Sequence, residues 1–132
     1  MASPLYSTGA RPETEPESAY SLYAKGARFL AEGHPHQAAM FLSRAKLLEP
    51  DKASIREALG RALFMAGRMA GARREFTKAV QIAPADDYAH FALGLACERT
   101  GQRTRALAHL KLANVMRPGI EHYEQALERL AG

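Results

Sequence analysis

From Ser18 onward, apolar residues recur every three or four positions, and no stretch of alternating β-branched residues interrupts them. That spacing marks amphipathic helices and gives no place for a strand. Breakers cut the pattern into segments. The spacing predicts helices over about Ala19–Glu32, Pro35–Leu48, Ala53–Ala66, Met69–Ile82, Asp87–Thr100 and Arg103–Met116. Gly33, Gly67 and Gly101 stand where alternate helices must stop, because glycine tolerates the left-handed conformation of a helix C-terminus. Pro35 falls in a first turn, where its missing N–H removes no bond. Asp51 and Asp86 are candidate N-caps. Pro50, Pro84 and Pro118 prevent the intervening helices from continuing.

These segments repeat. Pro50, Pro84 and Pro118 are 34 residues apart, and the same interval separates Gly26, Gly60 and Gly94. Gly33/Gly67/Gly101, Ala38/Ala72/Ala106 and Ala45/Ala79/Ala113 keep the register. A fixed period of this size marks supersecondary units that stack side by side. The small residues have a packing role. Gly26, Gly60 and Gly94, with Ala38, Ala72 and Ala106, let the two helices of a unit approach. Larger apolar residues are expected to fill the space between: Phe29, Leu63 and Cys97; Leu42, Phe76 and Leu110; Leu48, Ile82 and Met116.

The pattern resembles the tetratricopeptide repeat: 34 residues, helix–turn–helix, with Leu-Gly, then Ala-x-x-x-Phe, then Pro. Leu59-Gly60, Ala72 to Phe76 and Pro84 match best. Leu93-Gly94, Ala106 to Leu110 and Pro118 follow, then Lys25-Gly26, Ala38 to Leu42 and Pro50. The fourth position of each unit departs from the family. Leu22 fits, whereas Arg56 and His90 stand where a large apolar residue is preferred. The resemblance implies an all-α, right-handed α-α solenoid. Residues 18–118 form three units, at 19–52, 53–86 and 87–118. Residues 119–132 follow as a capping helix, with Ile120, Tyr123, Leu127 and Leu130 on its apolar stripe. Residues 1–17, rich in Pro, Ser, Thr and Glu and without apolar period, read as a disordered acidic tail.

In tetratricopeptide-like arrays the first helix of each unit lines a concave groove. On this chain that face is rich in rings and apolar side chains where a surface helix would be polar. It carries Tyr20 and Tyr23, then Glu57, Arg61, Phe64 and Met65, then Tyr88, Phe91, Leu95 and Arg99. These are the candidate partner-binding residues, and Tyr20, Tyr88, Phe91 and Leu95 are expected to face solvent. Exposed apolar patches with polar rims bind partners. Tyr and Arg are the types that most often anchor them. Some family members clamp a C-terminal carboxylate with Lys, Asn and Arg. The matching positions here are Tyr23, Ala27, Ala58, Tyr88 and Ala92, which cannot do so. The groove instead suits a peptide or helical segment with hydrophobic anchors. Three-unit secretion chaperones, which hold apolar segments of exported proteins, look similar in architecture.

Composition narrows the alternatives. The chain has 132 residues, 47% hydrophobic and 24% charged, with one cysteine and a net charge of +4. That allows one modest domain and no internal disulfide, with the cytoplasm as the default compartment. No apolar run reaches the ~20 residues that span a bilayer. The histidines show no ligand spacing, no phosphate loop follows a strand, and no nucleophile–base set is visible. No metal, cofactor or catalysis is therefore expected, and Cys97 reads as a core thiol. The tail is acidic and the remainder basic. Arg68, Arg73, Arg74 and Lys78, then Arg103, Arg105 and Lys111, lie on the outer helices. Two competing readings follow: a basic convex face for nucleic acid or an acidic protein surface, and self-association through the apolar groove. The tail's one apolar cluster, Pro4-Leu5-Tyr6, could also occupy the groove at high effective concentration.

Overall fold

A computed structural model describes residues 17–132. The expectations for the tail, including the docking of Pro4-Leu5-Tyr6, lie outside the described residues except at Glu17. The described chain folds into helices alone: α1 (Ala19–Ala31), α2 (Pro35–Leu48), α3 (Ala53–Met65), α4 (Met69–Ile82), α5 (Asp87–Arg99), α6 (Arg103–Met116) and α7 (Glu121–Ala131). Each odd helix from α1 to α5 packs against the next, and the hairpins stack in chain order as an all-α solenoid. Gly33, Gly67 and Gly101 adopt φ of 82°, 81° and 79°. A Cβ there would meet nothing within 4 Å, so backbone conformation is the constraint.

The other glycine series answers to sterics. A Cβ on Gly60 would lie 2.6 Å from Cε1 of Phe76, and one on Gly26 would lie 2.5 Å from Cγ of Leu42. Gly94 meets Leu110 at 2.8 Å. Leu42, Phe76 and Leu110 are themselves sealed in the core, so they cannot move aside. Each hairpin is thus closed by a large side chain seated on a glycine.

Two expectations need correction. Asp51 does not cap α3: Lys52 occupies the N-cap position, with no side-chain bond. Asp86 does cap α5, accepting from the Ala89 N–H at 3.2 Å. Leu48 and Met116 do not fill the core. They end their helices at the outer edge, 54% and 39% exposed.

The departures at the fourth position are compensated by a partner on the facing helix. Residues 22, 56 and 90 face residues 41, 75 and 109. In the first hairpin Leu22 belongs to a buried apolar cluster against which Phe41 packs. In the second, the Arg56 guanidinium reaches the Glu75 carboxylate at 3.1 Å and donates to the Pro50 carbonyl at 2.8 Å. Lys46 closes the site on the other Glu75 oxygen at 2.9 Å. In the third, His90 and His109 meet Nδ1 to Nδ1 at 3.1 Å, and His90 Nε2 lies 2.9 Å from the Pro84 carbonyl. If His90 is neutral, the Pro84 contact places its proton on Nε2. His109 then donates to the lone pair on His90 Nδ1. Each unit thus solves the same packing position with different chemistry, and the polar groups buried at this position have partners.

Candidate binding groove

The face expected to form a groove belongs to α1, α3 and α5. Between α3 and α5 lies an apolar recess of about 200 Å³. Arg61, Phe64 and Met65 of α3 line it with Tyr88, Ala92 and Leu95 of α5, and Phe76 contributes to the wall. The two helices run in the same direction, because early residues face early ones and late face late. At the start, the Asp86 carboxyl acts on the Glu57 carboxyl and helps to raise it. At the end, the Arg99 guanidinium sits over the Phe64 ring, 5.1 Å from its centre. Arg129 of α7 reaches across to Glu98 beside it.

Of the candidate residues, five are brought together in this recess: Arg61, Phe64, Met65, Tyr88 and Leu95. Met65 is 51% exposed, whereas Phe64, Tyr88 and Leu95 are half-buried. Arg99 borders the recess. Tyr20 and Tyr23 lie elsewhere on the face, in a smaller hollow with Lys52, Ser54 and Ile55. Tyr20 is 78% exposed there.

Phe91 does not face solvent. It is buried, stacked on Tyr123 of α7 with ring centres 4.6 Å apart, and edge-on to His122 at 5.2 Å. The helical-wheel assignment failed because α7 adds a further helix over this side of α5. The Tyr123 hydroxyl fastens it by donating to Asp87 at 2.6 Å, and Arg117 reaches the same Asp87 oxygen at 3.2 Å. The Tyr123 hydrogen bond first, and then Arg117, hold the Asp87 carboxyl below the usual range. Burial and the Asp87 bond push the Tyr123 phenol well above its own.

Phe91 explains a second residue. It occupies the fifth position of its unit, shared with Tyr23 and Glu57. Tyr23 packs against the hydrophobic core and Phe91 against α7. Glu57 takes the same place between α3 and α5, so a carboxylate stands where the other units put a ring. Burial, followed by the Asp86 carboxyl, pushes Glu57 up to about 7, and Arg61 only partly opposes this. Burial also raises the Tyr88 phenol nearby. The sequence marked Glu57 as a groove residue but missed Asp86, which read only as a cap. The signal available was its position at the start of α5, opposite the start of α3.

Among the described residues no three His, Cys, Asp or Glu converge as a metal-binding group. Cys97 is fully buried, and burial raises its thiol. Among the described residues no helix is long and apolar enough to cross a membrane.

No family model matches the sequence, and no curated protein matches it. Solved structures do match the fold. The Arabidopsis OM64 TPR domain superposes with a TM-score of 0.82 at 22% identity, over 85% of this chain and 93% of that one. The first TPR domain of Spaghetti (RPAP3), bound to the HSP90 peptide SRMEEVD, gives 0.83 at 16% identity, over 89% and 93%. The Yersinia enterocolitica type III secretion chaperone SycD, in complex with a peptide of the translocator YopD, gives 0.79 at 14% identity, over 90% and 96%.

Proposed function

From the tetratricopeptide-repeat fold that this chain shares with those domains, we propose that it is a non-catalytic interaction module. It binds a peptide or helical segment of another protein in the recess between α3 and α5. The observation that carries this reading is the recess itself: rings, Met65 and Leu95 line an open hollow of about 200 Å³. Leaving that apolar surface in water costs roughly 25 cal/mol per Å², which a partner side chain would recover. The neighbours solved with peptides support the same use of the fold. The absence of a carboxylate clamp at Tyr23, Ala27, Ala58, Tyr88 and Ala92 points away from the HSP90-type peptide and toward hydrophobic anchoring.

The test is affinity capture from native lysate with the wild type, Met65→Glu/Leu95→Glu, and Arg73→Glu/Arg74→Glu, after circular dichroism confirms that all three are folded. The expected result is a protein retained by the wild type and the α4 variant and lost from the groove variant. Retention by the groove variant with loss from the α4 variant would move the site to the basic outer face.

A further inference from the structure

We propose that His90 and His109 form an acid-released latch on the third hairpin. With one proton between them they hold α5 against α6, and a proton on each of the facing nitrogens drives the two helices apart. The pair stands where the first unit has an apolar contact and the second an ion pair. Leu22 lies in the buried cluster against which Phe41 packs, and Arg56 meets Glu75. The third unit puts two imidazoles at the same place.

The geometry admits a single proton. The two Nδ1 atoms are 3.1 Å apart, while the ring centres are 5.3 Å apart with planes 23° from parallel. Such a contact allows hardly any wider separation of centres, so each nitrogen points at the other. One hydrogen fits between facing nitrogens and two do not. The far side of His90 is fixed as well, because its Nε2 lies 2.9 Å from the Pro84 carbonyl, which can only accept. His90 is 6% exposed, so its ring reaches no water unless the helices part. A first extra proton goes to Nε2 of the half-buried His109 and leaves the contact whole. Burial first, then His90 and Arg105, hold His109 below the usual imidazole range. A second proton puts hydrogens on both facing nitrogens and turns the contact into a clash between cations.

The surroundings do little to balance that charge. On α6, Arg105 stands one turn before His109 and carries the same sign. At the start of α5, Asp86 accepts the Ala89 N–H, and Asp87 is held by Arg117 and the Tyr123 hydroxyl. α4 packs against α5, and there Val80 falls one period after Lys46, the cation that answers Glu75 in the unit before. α7 brings His122 and Tyr123 onto the neighbouring Phe91.

Proton uptake sets the direction of the effect. In the unfolded chain the imidazoles take up protons near 6.5. The folded pair withholds at least one of them. The latch therefore contributes its full stability above pH 6.5 and loses it as pH falls below that value. Because α5 carries Tyr88 and Leu95, its release in acid removes one wall of the recess.

The experiment is urea unfolding of the full chain from pH 7.5 to pH 5, beside His90→Leu with His109→Phe, which moves the first unit's apolar residues to the third. The other histidines and all carboxylates are common to both proteins, so the pair alone separates the two curves. The proposal expects the wild type's folding constant to fall about tenfold more than the variant's between pH 7 and pH 5. Parallel curves would overturn it. If the double variant does not fold, the imidazole nitrogen shifts of the wild type, followed by NMR through the same range, decide the matter. The expected result is second-proton uptake on the pair below the ordinary imidazole range, accompanied by loss of the α5 and α6 amide signals. Uptake of both protons within that range, with those amide signals unmoved, would overturn the latch.

Discussion

At the scale of single residues, the chain shows how a repeat tolerates polar groups in its packing seam. Arg56 and Glu75 replace the apolar pairing of Leu22 and Phe41, with Lys46 completing the charge balance. Removing Glu75 strands both cations. Glu75→Ala should cost about 3 kcal/mol, measured by urea unfolding, whereas Arg56→Leu with Glu75→Leu should be close to neutral, since Lys46 is more exposed than either. Glu57 behaves in the opposite sense. Its folded-state value, about 7, lies above the 4.5 of the unfolded chain. The folded protein therefore holds the extra proton, and the stability it brings is full below pH 4.5 and lost as pH rises through 7. Glu57→Gln should raise the melting temperature at pH 8 and leave it unchanged at pH 4. The gain should be on the order of 1 kcal/mol once solvent screening is allowed for. An equal shift at both pH values would argue against like-charge crowding at this position.

At the scale of helices, the glycine and proline register made the boundaries legible. The α2, α4 and α6 ranges match the expected ones, α1, α3 and α5 end one residue early, and α7 occupies 121–131 of the expected 119–132. The reason is that helix ends here are written in local chemistry: a left-handed glycine after one helix and a proline after the next. What was not legible was the consequence of the last helix. Its apolar stripe could be read from Tyr123, Leu127 and Leu130, but not where that stripe lands. Phe91 was therefore assigned to solvent when it stacks under Tyr123. Glu57 and Phe91 are separated by one unit of the register, yet one faces carboxyls and the other a ring. That difference lies in the neighbouring helix and not in either residue. Two tests belong at this scale. Tyr123→Phe removes the hydrogen bond to Asp87 and should cost about 1 kcal/mol. Gly60→Ala gains helix propensity of about 1 kcal/mol but drives a Cβ into the sealed Phe76 ring. Net destabilisation of about 2 kcal/mol is expected by thermal unfolding. A stabilised Gly60→Ala would show that the hairpin can open without cost.

At the scale of the whole molecule, the candidate site is divided along the stack. Half of the ten residues marked from sequence line one recess between α3 and α5, because there the two helices present apolar side chains with an open space between them. Tyr20 and Tyr23 fall in a separate hollow, and Phe91 belongs to the packing of α7. A face assigned by helical periodicity is thus a good guide to the side of the array, but not to the depth of any position on it. Depth depends on which units follow.

The account's central claim is that partners enter the α3–α5 recess. The most direct measurement is an NMR titration of the isotopically labelled chain with the protein retained in the affinity capture. The account predicts that amide and methyl shifts cluster on Arg61, Phe64, Met65, Tyr88 and Leu95. Shifts confined to α4 and α6, with those five unmoved, would contradict it.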